Sequence, residues 1–171
     1  VYRIMVAVEE GYGTYGLTMT ESEVASNINC EAAIGPFEAS GSALILGSTF
    51  GSDVSATCDF NTTAQGVWYI AESGSTESNG TRTVLTASTC SEETNFFSRI
   101  SIFRGSCGAL KCVGDVDYVS CNEGYSALWS SDTRETFFIF VHSDGIAASD
   151  SSFDAGSFGL RVSESSAAEN D

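Results

Sequence analysis

Short hydrophobic runs, rich in β-branched and aromatic residues, alternate with polar segments along most of the chain. Gly, Ser and Thr separate these runs at short intervals, and helical periodicity is nearly absent. The pattern is typical of an all-β sandwich, whose strands are short and joined by turns. It predicts its clearest strands at residues 43–50, 66–71, 81–88, 98–104, 135–143 and 157–163.

Two of these segments indicate how their strands are buried. In residues 157–163, Phe158, Leu160 and Val162 share one face, which predicts a strand buried on one side only. Residues 137–141 are apolar without interruption, which predicts a central strand covered on both faces. A capping box at residues 20–23 predicts one short helical turn that ends by Ala33.

The first ten residues contain a separate alternating segment. Burying four of its side chains would contribute on the order of 6 to 12 kcal/mol before ordering costs, so we expect this extension strand to be covered. It either pairs with its own sheet as an extra edge or inserts into a neighbouring molecule by β-augmentation. A head-to-tail insertion that does not close propagates as a filament. The residues predicted to make the subunit contact are Val1, Tyr2, Ile4, Met5, Val6 and Val8.

Six cysteines lie between positions 30 and 121. They lack the CxxC pairs and histidine partners of a zinc site, and an even set of this kind predicts disulfides formed in an oxidising compartment. With the cysteines as markers, the chain divides into an N-terminal extension (1–29), a β-sandwich domain (30–163) and a polar acidic tail (164–171). The cysteines are Cys30, Cys58, Cys90, Cys107, Cys112 and Cys121.

Asn61 and Asn79 each begin an Asn-x-Thr sequon, which predicts N-glycosylation on a secretory route. Val1 is neither an initiator methionine nor the start of a signal peptide, so we expect a processed chain. Together with the cysteines, the sequons predict a secreted, extracellular glycoprotein.

The charge is strongly unbalanced, with 23 acidic against 7 basic residues and a formal net charge of −16. Such a chain repels phosphate backbones and anionic lipid surfaces, which argues against nucleic acid as a partner. No apolar run approaches the roughly 20 residues that a transmembrane helix requires, so we predict no membrane insertion.

Six short motifs follow one another along the cysteine-containing part of the chain. They are Cys30-Glu31-Ala32-Ala33-Ile34, Gly47-Ser48-Thr49, Val67-Trp68-Tyr69, Ser88-Thr89-Cys90, the stretch from Ile100 to Gly108, and Val119-Ser120-Cys121-Asn122. Their order resembles the bacterial pre-peptidase C-terminal domain and related secreted jelly-roll modules. The resemblance covers residues 30–163 and implies a disulfide-stapled jelly-roll β-sandwich of about eight strands, used for binding or presentation and not for catalysis. Where relatives often show Asn-Asp-Asp, this chain reads Asn-Glu-Gly at 122–124, which argues against a calcium ion there.

Six cysteines allow fifteen pairings, and the sequence does not select one outright. Cys107 and Cys112 flank four residues, a span short enough for a hairpin tip. The favoured pairings are Cys30 with Cys58, Cys90 with Cys121, and Cys107 with Cys112.

The sequence contains little that indicates a catalytic site. His142 lies late in an apolar strand, and the chain contains no Gly-x-Ser-x-Gly elbow, so a structural role is favoured over that of a triad base. The acidic pairs are interpreted as solvated loop residues, not as an acid and base for glycoside cleavage. These pairs are Glu9 with Glu10, Glu92 with Glu93, and Asp115 with Asp117.

No cofactor is predicted, although calcium remains an alternative. Asp115, Asp117, Asn122, Glu123 and residues 144–154 offer hard oxygen ligands without EF-hand spacing.

Aromatic residues offer a second binding hypothesis, because aromatic faces suit the apolar faces of sugar rings. For Trp68 and Tyr69, core packing is the favoured interpretation. The candidate platform residues are Trp68, Tyr69, Tyr118, Tyr125 and Trp129.

The leading hypothesis is a non-catalytic structural subunit of an extracellular glycoprotein assembly. Its partners would be copies of itself, joined into a filament through residues 1–10. Two alternatives remain open: a monomeric carbohydrate-binding or adhesion module that recognises glycans, and an accessory domain of a secreted hydrolase.

Overall fold

The computed structural model describes residues 6, 13–14, 16, 24–38, 43–58, 63–73, 82–143 and 155–166. These residues form two β-sheets packed face to face, which confirms the predicted all-β sandwich. The strands are β1 (Ile34–Glu38), β2 (Leu44–Ser48), β3 (Val54–Ala56), β4 (Thr63–Glu72), β5 (Thr83–Ser88), β6 (Ser98–Arg104), β7 (Lys111–Cys112), β8 (Asp117–Ser120), β9 (Tyr125–Ser131), β10 (Thr136–Ser143) and β11 (Ser157–Ser166).

Helix is limited, in these residues, to one 3-10 turn at Cys30–Ala32. The Asn29 side chain caps it by accepting a hydrogen bond from the Ala32 N–H at 3.0 Å. The capping box at 20–23 lies outside the described residues. In the part of the chain that is described, no helix is long and apolar enough to cross a membrane.

The strands pair in a nested order, in which early strands of the chain pair with late ones and the middle strands pair with each other. Sheet A has the order β1-β4-β10-β6-β7, with β3 also on β4, and sheet B has the order β2-β11-β5-β9-β8. Moving inward from the ends of this series, β2 pairs with β11, β4 with β10, β5 with β9, and β6 with β7. One long antiparallel hairpin is thus rolled up between two sheets, which is the jelly-roll topology. These four pairs give the eight strands of a jelly roll, close to the number that the resemblance implies, and β1, β3 and β8 add short edges.

The main core lies between the sheets and is built from alternate residues of the facing strands. Phe158, Leu160 and Val162 are buried, while Ser157 and Arg161 are exposed, which confirms the predicted alternation in β11. The core residues are Val67, Tyr69, Ala71, Leu85, Ala87, Phe96, Ile100, Ile102, Ala127, Trp129, Phe137, Ile139, Val141, Phe158, Leu160 and Val162.

A second hydrophobic cluster covers the outer face of sheet A. Phe138 and Phe140 point away from the main core and pack with Trp68 and Phe103. The Trp68 and Phe140 rings stack with centroids 4.5 Å apart. Because β10 lies between β4 and β6 with buried side chains on both faces, its prediction as a covered central strand is confirmed.

Two of the three disulfides, Cys30–Cys107 and Cys58–Cys112, hold the loops that cover this second cluster. Cys30 is bonded to Cys107, Cys58 to Cys112, and Cys90 to Cys121, with Cα–Cα distances of 5.5, 5.6 and 5.9 Å. The predicted pairing of Cys90 with Cys121 is confirmed. The predicted pairings of Cys30 with Cys58 and of Cys107 with Cys112 are wrong. Cys107 lies in the turn above Trp68, where it meets the 3-10 turn, whereas Cys112 lies on the edge strand β7.

Several strands differ from their predictions. β6 has the predicted bounds, while β4 and β11 extend further than predicted. β1, β3, β7, β8 and β9 were not predicted. β1 contains Pro36, which argues against a strand except at a sheet edge, and β1 is such an edge. β9 is rich in Ser and Ala, whose weak hydrophobicity hides the alternation that buries Ala127 and Trp129.

Three segments of the chain are hydrogen-bonded to the outer edge of β4. β3 pairs with its first residues and β1, in parallel, with its last. Between them the Trp68 N–H donates to the Asn27 carbonyl at 2.9 Å, and Asn27 Nδ2 donates to the Trp68 carbonyl at 2.8 Å. The segment before the first cysteine is therefore bonded to sheet A at Asn27.

Candidate functional site

His142 and Ser101 form a hydrogen-bonded pair on the outer face of sheet A. Ser101 Oγ lies 3.0 Å from His142 Nε2, and His142 Nδ1 lies 2.7 Å from the Ser143 carbonyl. Because a carbonyl only accepts, Nδ1 carries the proton, and Nε2 accepts from the Ser101 hydroxyl. Ser101 Oγ in turn accepts from the Cys58 N–H at 3.0 Å.

This pair has the contact of a serine–histidine dyad but not its setting. His142 is 2% exposed and Ser101 lies fully buried in the middle of β6, so a substrate does not reach the hydroxyl. Nδ1 is oriented by a main-chain carbonyl. The arrangement instead links the Cys58 segment to sheet A, in agreement with the structural role predicted for His142.

The acidic pairs are interpreted as solvated residues, and the members that the structure describes agree with this. Glu92, Glu93, Asp115 and Asp117 are all exposed. Glu9 and Glu10 lie outside the described residues.

The described residues do not support the alternative hypothesis of a calcium site. Among them, no three His, Cys, Asp or Glu side chains converge as a metal ion would require. Asn122 and Glu123 are exposed and line an open concavity beside the Cys90–Cys121 disulfide. Residues 144–154 lie outside the described residues, so their role as ligands stays a hypothesis.

Both predicted glycosylation sites lie outside the described residues as well. In the sequence, Asn61 falls between Cys58 and the start of β4, and Asn79 falls between β4 and β5. Glycosylation at both positions therefore stays a prediction.

The predicted aromatic platform does not exist as one surface. Trp68, Tyr69 and Trp129 are buried, which confirms core packing for the first two. Tyr118 and Tyr125 remain near the surface, next to Arg99, whose guanidinium lies 5.2 Å from the centroid of the Tyr125 ring. These three residues and Ile100 line a small notch at the end of the sandwich.

Strand β2 presents an apolar edge. In the described part of the chain it is the last strand of sheet B, and its partner is β11. Leu44 and Leu46 lie on its outward face and are exposed, Leu46 to 68%. Sequence reasoning predicted this strand but missed its exposure, because a continuous apolar run is typical of a strand covered on both faces.

Among the described residues, no segment pairs with the outer main-chain edge of β2. The Thr49 N–H donates to the Gly156 carbonyl at 2.9 Å, on the side of β11. Peptide groups alternate in direction along an antiparallel strand, so those of Leu44 and Leu46 point away from β11. The edge therefore combines apolar side chains with outward main-chain donors and acceptors.

Of the predicted subunit-contact residues, the structure describes Val6, which is 45% exposed. Val1, Tyr2, Ile4, Met5 and Val8 lie outside the described residues. Whether this segment pairs within one molecule or between two thus stays a prediction.

Comparisons with known proteins found no match among protein-family models, curated proteins or solved structures. The resemblance to the pre-peptidase C-terminal domain stays a prediction that rests on the sequence motifs. The proposals below rest on the geometry and chemistry of this chain.

Proposed function

We propose that this chain is a non-catalytic structural subunit of an extracellular glycoprotein assembly. In the assembly, residues 1–10 of one copy add as a strand to the β2 edge of the next copy. Because donor and acceptor are different surfaces, the contact is head-to-tail, and a head-to-tail contact that does not close into a ring propagates as a filament. The observation that carries the proposal is the exposed apolar edge of β2.

The two surfaces are complementary as strand partners. An added strand gains main-chain hydrogen bonds from the edge and specificity from alternate side chains. β2 offers the outward peptide groups of Leu44 and Leu46, together with their side chains. Residues 1–8 alternate in apolar character and would cover these side chains on pairing. An exposed apolar edge strand left unpaired would be an aggregation hazard.

Charge favours contact at this edge. Copies with a net charge of −16 repel one another, so a stable contact needs surfaces from which carboxylates are absent. Residues 43–50 carry no charged side chain, and the charged residues of the donor segment 1–10 are Arg3 and, at its end, Glu9 and Glu10. Pairing these segments therefore brings no two carboxylates together.

The connection between the donor segment and the sandwich begins close to β2. Val24 packs against Gly51, where a Cβ would lie 3.1 Å from Val24 Cγ2. Residues 9–23 span up to about 50 Å when extended, at roughly 3.4 Å per residue. Both the molecule's own β2 and that of a neighbour are within reach, and an experiment has to separate the two cases.

The proposal also includes secretion of the chain and its N-glycosylation. Proteins with three disulfides belong to oxidising compartments such as the secretory route. Glycans on Asn61 and Asn79, together with the negative charge, would keep finished polymers apart.

Light scattering on the full chain and on a variant lacking residues 1–12 tests the proposal. We expect the full chain to form oligomers and the shortened chain to be a monomer. Leu46→Glu places a charge on the acceptor edge and should also give monomers. Val119→Glu is the matched control, because Val119 is exposed on β8 at the opposite edge of sheet B, and this variant should assemble normally.

Pairing within one molecule gives a different result. In that case the full chain is a monomer, and the deletion lowers its stability without changing its size. An oligomer whose size is unchanged by the deletion also contradicts the proposal.

A further inference from the structure

Among the described residues, four basic side chains lie at the end of the sandwich where β6 finishes and β10 begins. Two of them, Arg82 and Arg134, form ion pairs with carboxylates at 3.2 and 3.0 Å. The other two, Arg104 and Lys111, are exposed and have no ion-pair partner in the part of the chain that is described. The chain has 23 acidic residues, so two neighbouring cations without a carboxylate are unexpected. The uncompensated positive charge of this end is therefore concentrated at Arg104 and Lys111.

Arg104 and Lys111 lie directly opposite each other. They are register partners in the antiparallel pair of β6 and β7, so their side chains share one face, with Cβ atoms roughly 5 Å apart. Like charges in this arrangement repel each other and lower the stability of the strand pair. A bound anion would remove this repulsion, so the pair has the geometry of an anion site.

The turn between the two cations is fixed by covalent bonds. Cys107 lies within the turn and Cys112 directly follows Lys111, and both are disulfide-bonded to other parts of the chain. Inside the turn, the Ala109 N–H donates to the Ser106 carbonyl at 2.7 Å. A site that is held in place before binding loses less conformational entropy when it takes up a small ligand.

The two cations line an open concavity that also carries hydroxyl groups and one carboxylate. The Glu135 carboxylate accepts a hydrogen bond from the Ser131 hydroxyl through Oε2 at 3.2 Å and forms no ion pair with either cation. Its other oxygen, Oε1, has no hydrogen-bond donor within the described ranges. The side chains with hydrogen-bonding groups around the concavity are Arg104, Ser106, Lys111, Glu135 and Thr136.

We propose that this concavity binds the carboxylate of an acidic sugar. The planar guanidinium of Arg104 matches the two oxygens of a carboxylate, and the Lys111 ammonium adds a second positive charge. The Glu135 carboxylate would repel a bare anion, but it accepts hydrogen bonds from sugar hydroxyls. A ligand with one carboxylate and several hydroxyls therefore matches all of these groups.

The net charge favours a small ligand with a single negative charge over an acidic polymer or protein. A chain with a net charge of −16 repels a highly charged ligand over its whole surface, whereas one carboxylate meets mainly the local field of Arg104 and Lys111. The proposed site is independent of filament formation, because it contains neither residues 1–10 nor β2.

Saturation-transfer NMR on the full chain tests the site with four probes, namely glucuronate, glucose, acetate, and glutamate blocked at its amino and α-carboxyl groups. The method works on monomers and on large assemblies. We expect glucuronate to bind weakly, on the order of millimolar, because the ligand is small. Acetate and blocked glutamate should bind about fivefold more weakly than glucuronate, and glucose should not bind. Raising NaCl from about 0.02 M to about 0.5 M should weaken glucuronate binding.

Variants locate the binding. Arg104→Gln and Lys111→Gln should each weaken the affinity for glucuronate about tenfold. Arg82→Gln is the matched control, because it removes the same charge at the same end of the sandwich but outside the concavity, and it should leave the affinity within about twofold. Glu135→Gln removes the repulsion of bare anions and should narrow the preference for glucuronate over acetate. Near-UV circular dichroism shows whether each variant is folded.

Several outcomes would overturn the proposal. Absence of glucuronate binding, or equal binding of glucose, would show that the carboxylate is not recognised. Acetate binding as tight as that of glucuronate would indicate a general anion site without sugar recognition, and equally tight blocked glutamate would indicate a site for acidic peptides. Unchanged affinity in folded Arg104→Gln, or an equal loss in Arg82→Gln, would mean that this concavity is not the binding site.

Discussion

Tyr69 shows how one residue connects the two sheets. Its side chain points from β4 into the main core, and its hydroxyl is hydrogen-bonded to the Asn27 side chain. Gly47 on β2 faces it from sheet B, where a Cβ would overlap the Tyr69 hydroxyl and the Phe158 ring. A glycine is therefore required at position 47 for the sheets to approach this closely.

Burial gives Tyr69 a predicted effect on alkaline stability. Desolvation raises the pKa of Tyr69 from 10.0 to about 12, although the Asn27 hydrogen bond opposes the shift. Between these values the unfolded chain loses the proton while the folded chain keeps it, so stability falls as pH rises. The loss should reach about 2 to 3 kcal/mol near pH 12.

Urea unfolding of the wild type and of Tyr69→Phe, at intervals from pH 9 to about pH 12, measures this effect. The Phe variant lacks the titrating hydroxyl, so the stability difference between the two proteins should change over this range. A constant difference would mean that Tyr69 does not titrate as described.

The loops over sheet A act together as a structural element. Residues near Cys30, Cys58 and Cys107 cover Trp68 and Phe140, and two disulfides hold them in place. This cover is what allows β10 to be apolar on both faces. The Ser101–His142 pair adds a polar anchor beneath the Cys58 segment.

Removing one of these disulfides should uncover the second cluster. The double variant Cys58→Ser, Cys112→Ser releases a loop closed over 54 residues and should lose roughly 4 kcal/mol of stability on the chain-entropy model. The loosened loop should also expose Trp68. Acrylamide quenching of tryptophan fluorescence in the folded state measures this exposure.

The matched control is Cys90→Ser, Cys121→Ser. That bond closes 31 residues and lies away from the second cluster, so its loss should lower stability without raising the quenching. Equal quenching in both variants would show that the Cys58–Cys112 loop is not what shields Trp68.

At the scale of the whole molecule, exposed sheet edges favour association between copies, whereas the net charge opposes it. In the described residues, the jelly roll leaves sheet edges at β1, β2, β3, β7 and β8, and an edge is a site for association. The net charge of −16 opposes association of any two copies. Assembly through β2 would therefore depend on burial of apolar surface at an uncharged edge.

This balance predicts the effect of salt. Raising the NaCl concentration from about 0.02 M to about 0.5 M screens repulsion between copies and should increase the oligomer size seen by light scattering. Hydrophobic contacts do not weaken over this range. Dissociation at high salt would indicate a contact built from ion pairs instead.

Alternation of side chains made much of the fold predictable. The direction of each side chain follows from its position in a strand, so the buried face of β11 and the double burial of β10 were evident in their residues. The even set of cysteines likewise indicated disulfides. Strands with small or weakly hydrophobic residues, such as β9, were missed because the same alternation is hidden in them.

The candidate sites were much less predictable. Leu44 and Leu46 belong to an apolar run, and only the sheet order places them at an edge. Arg99, Tyr118 and Tyr125 come from three strands of two sheets and meet only in the folded chain. No spacing in the sequence indicates that meeting.

By itself, the sequence determined that this is an all-β chain with six paired cysteines, a large excess of acidic residues and a distinct apolar N-terminal segment. The tertiary structure decided which cysteines are partners, which strands lie at the edges and which aromatic residues remain exposed. The physical reason is the distance along the sequence over which each effect acts. Alternation and composition act on neighbouring residues, whereas Cys30 meets Cys107 across 77 positions only when the sheets bring their loops over the same face.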